Sequence, residues 1–319
     1  MKTILAADIG GTHSRFGAFR TGPDRKLSLA KSLWLDTTKY DSLKAMLDQL
    51  EKEAFGLTTA AADAAVLAVA GPIINQSYSN PPNIDWDIDL SELARQTGLK
   101  KYALINDFVA QAFACRSPVM DAARRVLPGD VDPTAPLAVI GAGTGLGQAT
   151  LIPLEKGGYA ALASEGGHAS FPFESTAEDG YRHYLLEETG EPYVRAEGVV
   201  SGRGLSRLHH FLTGDRLEPA EVAPKLTTDS KTLRWMARFF GRLTRNYALQ
   251  VVAFGGVYIS GGVAAKVPQL VTHPEFARSF RQTTVMAHVL DRIPVFLNSD
   301  EESGLWGAAF KGLQMLRKD

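Results

Sequence analysis

Short apolar runs on either side of glycine-rich turns occur in both halves of the chain. Residues 4–7 are apolar, the polar turn Asp8–His13 follows, and an extended apolar pattern resumes over residues 16–19. Residues 137–152 repeat this order, with an apolar run, a turn of glycine and threonine, and a second apolar run. Apolar runs around such turns are typical of β-hairpins. The repetition predicts two related lobes, each containing a hairpin.

Helical and strand-like periodicities alternate along the rest of the first half. Residues 42–55 place leucine and methionine at helical spacing, whereas residues 64–70 form a continuous apolar run that predicts a buried strand. Ser91 begins a short predicted helix, and the strand predicted at 102–105 leads directly into an apolar helical run at 108–115. Strands that alternate with helices predict an α/β lobe.

The second half combines longer helices with further strands. The spacing predicts a helix over roughly 230–252, and a strand at 257–260 that ends in two glycines. An amphipathic helix is predicted at 304–316. The cations Arg317 and Lys318 that follow it suit the carboxyl end of a helix, where the helix dipole is negative.

Length and composition limit the class of protein. At 319 residues the chain is long enough for two domains. Its 34 basic and 35 acidic side chains nearly cancel, so charge gives no argument for a nucleic acid or an anionic membrane as partner. The single cysteine excludes an intrachain disulfide and fits a reducing cytosol. The first apolar run is shorter than a signal-peptide core and no run could span a bilayer, so we expect a cytoplasmic protein with no membrane partner.

The glycine turns offer places for phosphate groups. Without a Cβ, Gly10 and Gly11 let backbone N–H groups approach an anion, and the neighbouring Asp8 offers an oxygen to a phosphate-bound Mg²⁺. The alternative is a plain hairpin in which Asp8 only caps the turn. Neither turn has the lysine of a P-loop, and Leu146 and Gln148 stand where a dinucleotide fingerprint needs its last glycine. A phosphate clamp built of two hairpins remains.

Polar residues that could carry chemistry follow three predicted elements. Asp107, with Asn106 before it, lies where a strand ends and a helix begins; it is either a helix cap or a general base for a hydroxyl. Glu165 and His168 flank two glycines and form either an exposed turn or a donor–acceptor pair for hydroxyls. Glu197 alone suggests only a surface position.

Other histidines and the tryptophans suggest structural roles. A metal site at His168 would need partners that the nearby sequence lacks. We expect the pair His209–His210 to be surface or packing groups. The tryptophans, among them Trp34, are expected in the core rather than as stacking platforms.

Taken together, these motifs resemble the bacterial glucokinase family, a group of ATP-dependent kinases. Any one segment is a modest match, but six occur in the family's order along most of the chain. The segments that carry the resemblance are Asp8–Thr12, Ile105–Phe108, Gly141–Gly147, Glu165–His168, Ala196–Gly202 and Gly255–Gly262.

The resemblance implies roles for individual residues. Asp107 would be the catalytic base, and Asp8 would hold Mg²⁺ through a water molecule. The residues implied to bind glucose are Asn80 (or Asn83 in its place), Asn106, Asp107, Glu165, His168 and Glu197. The residues implied to bind ATP are Asp8, Gly10, Gly11, Thr12, Gly141, Gly143, Thr144 and Gly145 at the phosphates, with Gly261 and Gly262 at the adenosine.

The same resemblance implies an α/β fold of the two-lobed, actin-like (ribonuclease H-like) sugar kinase type, with a cleft between the lobes. Residues 1–109 plus 304–319 would form the small lobe and 110–303 the large lobe, and the protein would be a homodimer. Zinc-binding relatives carry a cysteine-rich motif after Glu-Gly-Gly-His, but residues 169–172 contain no cysteine, so zinc is not expected. Arg203 stands where the close relatives carry proline, a difference that concerns local loop shape.

The sequence thus leads to the hypothesis of ATP-dependent phosphorylation of glucose to glucose 6-phosphate, with Asp107 as general base. A kinase for another hexose, fructose or N-acetylhexosamine, is the nearest alternative. A sugar-sensing repressor of the same fold would need a DNA-binding segment, for which we expect no room before the first strand. An ATPase without sugar chemistry would not need Asn106 and Asp107 together with Glu165 and His168.

Overall fold

The chain forms two compact units in a computed structural model that describes residues 1–317. The first unit comprises Met1–Ala122 and the segment that begins at Asp300, and the second comprises Ala123–Ser299. Arg317 directly follows the last helix, as expected. Lys318, the second cation expected there, lies outside the described residues.

The elements confirm both predicted hairpins and the long helix, and the strand expected at 257–260 has those bounds. The strands are β1 (Lys2–Ile9), β2 (His13–Thr21), β3 (Leu27–Asp36), β4 (Ala64–Val69), β5 (Tyr78–Ser79), β6 (Ile88–Asp89), β7 (Tyr102–Asn106), β8 (Arg124–Leu127), β9 (Leu137–Ala142), β10 (Leu146–Pro153), β11 (Tyr159–Ser164), β12 (Val257–Ser260) and β13 (Val295–Leu297). The helices are α1 (Leu43–Lys52), α2 (Leu90–Thr97), α3 (Asp107–Ala114), α4 (Thr176–Thr189), α5 (Ala196–Val199), α6 (Gly202–Thr213), α7 (Pro219–Val222), α8 (Lys231–Val251), α9 (Gly262–Lys266), α10 (Gln269–Thr272), α11 (Pro274–Arg281), α12 (Ala287–Leu290) and α13 (Ser303–Leu316). Within residues 1–317, no helix combines the length and apolar character that crossing a membrane requires.

Each unit contains a central sheet, and the two sheets share a strand order. In the first unit the order is β3-β2-β1-β4-β7, with β1 antiparallel to β2 and parallel to β4. In the second unit the order is β11-β10-β9-β12-β13-β8, with β9 antiparallel to β10 and parallel to β12. The two hairpins therefore occupy equivalent places, as expected of related units of an α/β fold.

Helices α3 and α13 pack against each other in the first unit, and α13 also covers β1 and β4. The two helices approach so closely that a Cβ on Gly307 would lie 1.8 Å from the carbonyl oxygen of Ala110. The C-terminal helix thus belongs to the first unit. The domain boundary placed at residue 109 lies inside α3, all of whose residues also belong to this unit.

A buried ion pair fixes residues 172–178 in the second unit. Arg242 on α8 is 3% exposed, and its two terminal nitrogens donate to the carboxylate of Glu178 at 2.8 and 2.9 Å. The same guanidinium donates to the carbonyl oxygen of Pro172 at 2.9 Å. Because both charges are paired and hydrogen-bonded, their burial is tolerated, and the pair holds residues 172–178 against α8.

The expected core position of Trp34 is wrong. Its side chain is 44% exposed, and the Arg15 guanidinium lies 4.0 Å from the centre of its ring. Trp34 belongs to β3, which is an edge strand of the sheet, so one face of the ring remains open to solvent. His209, by contrast, is buried and packs as expected, with Nδ1 3.1 Å from the hydroxyl of Thr232.

Candidate active site

The predicted residues of the first unit lie at one edge of its sheet. Strands β1, β4 and β7 run parallel, with Ile9, Val69 and Asn106 side by side at their ends. The turn at residues 10–12 and the carboxylate of Asp107 follow two of these strand ends directly. Ligands of open α/β sheets bind at this edge, beyond the carboxyl ends of the parallel strands.

Asn106, rather than Asp107, is the N-cap of α3. Its Oδ1 accepts hydrogen bonds from the backbone N–H groups of Phe108 at 2.9 Å and Val109 at 3.3 Å. Asp107 is the first residue of the helix, half-buried, and its Oδ1 accepts from the same Phe108 N–H at 3.0 Å. The first turn of a helix stabilises a negative charge. The sequence left open whether Asp107 caps the helix or acts as a general base. In the structure, capping is carried mainly by Asn106.

The loop that carries Asn80 and Asn83 packs on the first glycine turn. A Cβ on Gly11 would lie 2.6 Å from the carbonyl oxygen of Asn83, so only glycine allows this contact. Asn80 is exposed and donates from Nδ2 to Asp87 at 2.5 Å, and Asp87 also accepts from the hydroxyl of Tyr78 at 2.7 Å. Asn83 thus contacts the turn through its backbone, while the Asn80 side chain is oriented by a neighbouring carboxylate.

Asp8 lies near the end of β1, two residues before the first turn. Burial raises the pKa of its carboxyl group, and Arg15, whose Nη1 is 3.7 Å away, acts in the opposite direction. A Cβ on Gly304 would lie 2.6 Å from Asp8 Oδ2, which places the carboxylate at the start of α13. Residues 1–317 contain no group of three or more metal-binding side chains. One carboxylate fits a Mg²⁺ ion carried mainly by phosphates and water, and does not fit an ion held by protein ligands alone.

The second unit places its glycines at the equivalent edge. The turn at 143–145 joins β9 and β10, and Gly143 donates to the carbonyl oxygen of Gly145 at 2.9 Å. Gly141 pairs with Ser260 on the parallel strand β12, so Gly261 follows beside this turn. Gly261 has a φ of +94°, and a Cβ there would lie 2.5 Å from a neighbouring backbone oxygen, so only glycine is tolerated.

A cavity of about 580 Å³ opens beside the turn at 143–145. Its volume lies within the range of small-molecule sites. The start of α6 closes one side, where the backbone N–H of Gly202 donates to the carbonyl oxygen of Gly143 at 2.9 Å. The residues that line the cavity are Gly143, Thr144, Gly202, Arg203, Leu205, Glu218, Pro219, Ala220, Ala223, Gly262, Val263, Lys266 and Val267. Arg203, at the position where the resemblance implies a proline, thus lines this cavity.

Glu165, His168 and Glu197 lie together in the second unit. His168 Nε2 is 3.9 Å from Glu165 Oε2, and His168 Nδ1 is 3.9 Å from Glu197 Oε1. Two backbone hydrogen bonds join their segments, from Phe171 to Val194 and from Ala196 to Ala169, both at 2.8 Å. The segment between Glu165 and His168 forms a short 3-10 helix, Gly166–His168, and both polar side chains are exposed.

The carboxylate of Glu197 also touches the second glycine turn. A Cβ on Gly145 would lie 2.7 Å from Glu197 Oε2. The acidic group proposed for a sugar hydroxyl is thereby in contact with the turn proposed for a phosphate. This contact lies wholly within the second unit.

Arg195 is the residue at this site that sequence analysis missed. Its Nη1 donates to Glu197 Oε1 at 2.6 Å and lies 3.1 Å from His168 Nδ1, and its other nitrogens bind Glu191. The hydrogen bonds from Arg195 hold the pKa of Glu191 below its usual range. Glu191 and Arg195 lie in the segment between α4 and α5, outside any helix, so no helical spacing marks them as a pair. Nothing in the sequence connects Arg195 with His168.

Comparisons with known proteins identify the family and the fold of the chain. A family model described as Glucokinase matches residues 5–315. A glucokinase of Chromobacterium violaceum is 34% identical over 318 residues, which cover 96% of this chain and 88% of that protein. The crystal structure of a glucokinase from an Antarctic psychrotroph has a TM-score of 0.86 at 26% identity, and the match covers 98% of this chain and 99% of that one.

A ROK family glucokinase from Streptomyces griseus, solved in complex with glucose and AMPPNP, has a TM-score of 0.64 at 19% identity, with 98% of this chain and 99% of that chain covered. At this identity the likeness bears on the fold alone. The structural matches confirm the predicted α/β fold of the two-lobed, actin-like sugar kinase type. Because the family model spans nearly the whole sequence, the chain belongs to the glucokinase family.

Proposed function

We propose that this protein transfers the γ-phosphoryl group of ATP to the 6-hydroxyl of glucose and releases glucose 6-phosphate and ADP. The observation that carries the proposal is the contact of Glu197 with Gly145, because it joins a hydroxyl-binding cluster to a phosphate-binding turn. Membership of the glucokinase family supports the reaction, and a structural neighbour has been solved with glucose and an ATP analogue.

Carboxylate, amide and imidazole side chains would hold the sugar. A hexose that lacks or inverts one bound hydroxyl would leave a polar group unpaired, at a cost of about 1–3 kcal/mol each, which favours glucose over its epimers. Carboxylates accept hydrogen bonds from hydroxyls, and amide and imidazole N–H groups donate to them. The residues proposed to bind glucose are Asn80, Asn106, Asp107, Glu165, His168 and Glu197.

The two glycine turns would hold the triphosphate. Their backbone N–H groups would neutralise part of its charge, and Gly261 and Gly262 would lie against the adenosine. The residues proposed for the phosphates are Gly10, Gly11, Thr12, Gly141, Gly143, Thr144 and Gly145. Asp8 would hold Mg²⁺ through water, and this ion, when bound, neutralises charge on the phosphates.

Asp107 would act as the general base of the transfer. As the 6-oxygen of glucose forms its bond to the γ-phosphorus, the bond from that phosphorus to the bridging oxygen of ADP breaks, and the hydroxyl proton passes to the Asp107 carboxylate. Asp107 belongs to the first unit and Glu165, His168 and Glu197 to the second.

We further propose that the protein is a cytoplasmic homodimer whose product enters glycolysis. The family resemblance supports the homodimer. The near balance of 34 basic and 35 acidic side chains supports the absence of a nucleic-acid partner. The lack of cysteine in residues 169–172 supports a reaction without zinc.

A coupled assay of ADP release tests the reaction. With ATP and Mg²⁺, we expect rapid release with glucose and little without sugar, since the kinase needs an acceptor hydroxyl. A panel with fructose, mannose and N-acetylglucosamine should give lower kcat/KM than glucose. A higher value for fructose or N-acetylglucosamine would favour the alternative hexose kinase, and equal release without sugar would indicate an ATPase.

Substitution of the base tests its role. Asp107→Asn should lower kcat by about 10²–10⁴-fold, because proton transfer from the hydroxyl loses its acceptor. Asp48→Asn, at an exposed position on α1, serves as the control and should retain activity. Near-normal turnover of a folded Asp107→Asn protein would show that Asp107 is not the general base. The sugar assay would still test the reaction independently.

A further inference from the structure

The Arg195 guanidinium joins three side chains at the edge of the hydroxyl-binding cluster. Its Nε and Nη2 donate to the two carboxylate oxygens of Glu191 at 2.8 and 2.6 Å, a bidentate pair that fixes the plane of the group. Its Nη1 donates to Glu197 Oε1 at 2.6 Å and lies 3.1 Å from His168 Nδ1. The guanidinium carries five N–H groups, enough to supply these four contacts.

We infer that Arg195 is a positioning residue that sets His168 in the tautomer with its proton on Nε2. A guanidinium has hydrogen-bond donors only, so His168 Nδ1 must accept and cannot carry a proton. The single proton of the neutral ring is then on Nε2. The inference rests on the proposed function in one respect, because it assigns this N–H to a sugar hydroxyl.

The tautomer determines what the cluster offers to a ligand. His168 Nε2 and Glu165 Oε2 are 3.9 Å apart, which is too far for a hydrogen bond between them. An oxygen about 2.8 Å from each atom fits between them. A hydroxyl in that place would accept from the His168 N–H and donate to the Glu165 carboxylate. With the proton on Nδ1 instead, the hydroxyl would face two acceptors and could satisfy only one.

Arg195 also determines that Oε2, and not Oε1, is the carboxylate oxygen of Glu197 that remains for a ligand. Oε1 is engaged by the guanidinium, while Oε2 lies against Gly145 at the phosphate turn. Without Arg195, the carboxylates of Glu191 and Glu197 would lose their shared cation. The arginine therefore orients two ligand-binding side chains without having to touch the sugar itself.

The imidazole nitrogens of His168 report the tautomer directly. In sugar-free protein labelled with ¹⁵N-histidine at about pH 8, long-range ¹H–¹⁵N spectra distinguish the two neutral tautomers. A His168→Gln variant assigns the resonance. We expect the Nε2–H form in the wild-type protein and a mixture or the Nδ1–H form in Arg195→Met. Arg182→Met, at an exposed position on α4, should leave the spectrum unchanged.

Steady-state kinetics should show the same dependence. Arg195→Met should raise KM for glucose about tenfold or more, since a charge-assisted contact to each of two sugar-binding groups is lost. The KM for ATP should stay within about twofold, because the hydrogen bonds of Arg195 go to Glu191, Glu197 and His168, none of which is proposed to bind ATP. Arg195→Lys keeps the cation and a donor, and should recover part of the Nε2–H population and of the glucose affinity.

Each outcome bears on one of the two proposals. A wild-type His168 with its proton on Nδ1, or an unchanged tautomer and KM in Arg195→Met, would overturn the role of Arg195. If Arg195→Met does not fold, Arg195→Lys together with Glu191→Gln, which weakens the bidentate anchor, decides by the same spectra. The Nε2–H tautomer in a protein without glucose-dependent ADP release would uphold the inference and overturn the proposed function.

Discussion

Asp8, the residue proposed to hold Mg²⁺ through water, shows how the position of a single residue can oppose stability. Burial raises the pKa of its carboxyl group, and Arg15 opposes this only in part. A carboxyl group with a raised pKa binds its proton more tightly in the folded than in the unfolded chain. The folded state therefore loses stability as the pH rises through the interval above the unfolded value, about 3.9, and the ionised group weakens the fold at neutral pH. Perturbed groups of this kind concentrate at functional sites.

Asp8→Asn should accordingly stabilise the ligand-free protein at neutral pH while it impairs the reaction. We expect a thermal midpoint higher by about 1–4 °C, measured by calorimetry, and a lower kcat with a larger requirement for Mg²⁺. Asp63 is a matched control. Burial alone would raise the pKa of its carboxyl group, but hydrogen bonds from Lys2 and Thr3 outweigh this effect and hold the pKa below its usual range. Asp63→Asn should therefore lower the midpoint. A lower midpoint in Asp8→Asn would contradict the assignment of the buried charge.

At the scale of elements, both glycine hairpins were predictable, but the contacts that use them were not. Apolar runs around glycine predicted both hairpins, because the strand pattern and the turn chemistry are local. The reason for an individual glycine is not local: Gly145 faces Glu197, and Gly167 faces the backbone of Leu146, where a Cβ would lie 2.1 Å from the carbonyl oxygen. Arg195 was missed for the same reason, since its partners come from separate elements.

Gly145→Ala tests the contact between the second turn and Glu197. The added Cβ would come 2.7 Å from Glu197 Oε2 and displace the carboxylate, so we expect KM for glucose to rise about tenfold. The control is Gly198→Ala, which adds a Cβ within helix α5 where no atom lies within 4 Å. That variant should keep its kinetics and gain about 0.5–1 kcal/mol of stability from helix propensity. If Gly145→Ala and Gly198→Ala have equal kinetics, Glu197 does not take part in sugar binding.

For the whole molecule, acid should weaken the fold. Carboxyl groups of both units have pKa values held below their usual range by hydrogen bonds and nearby cations. Each contributes stability above its unfolded pKa that is lost as the pH falls through its folded value. These groups are Asp36, Asp63, Asp87, Asp89, Asp132, Glu178 and Glu191. Asp8, whose pKa is raised, acts in the opposite direction.

The first loss of stability on acidification should come from His209, before the carboxyl groups titrate. Burial lowers the pKa of this imidazole, and its Nε2 has no hydrogen-bond partner among residues 1–317. Below about pH 6.5 the unfolded chain takes up the proton more readily than the folded chain, so the free energy of unfolding falls with pH. Urea unfolding over about pH 7–5 should show this slope in the wild-type protein and a smaller one in His209→Gln, which is less stable at neutral pH but cannot titrate. His183→Gln, at an exposed position on α4, is the control and should keep the wild-type slope. An unchanged slope in His209→Gln would show that other groups cause the loss of stability.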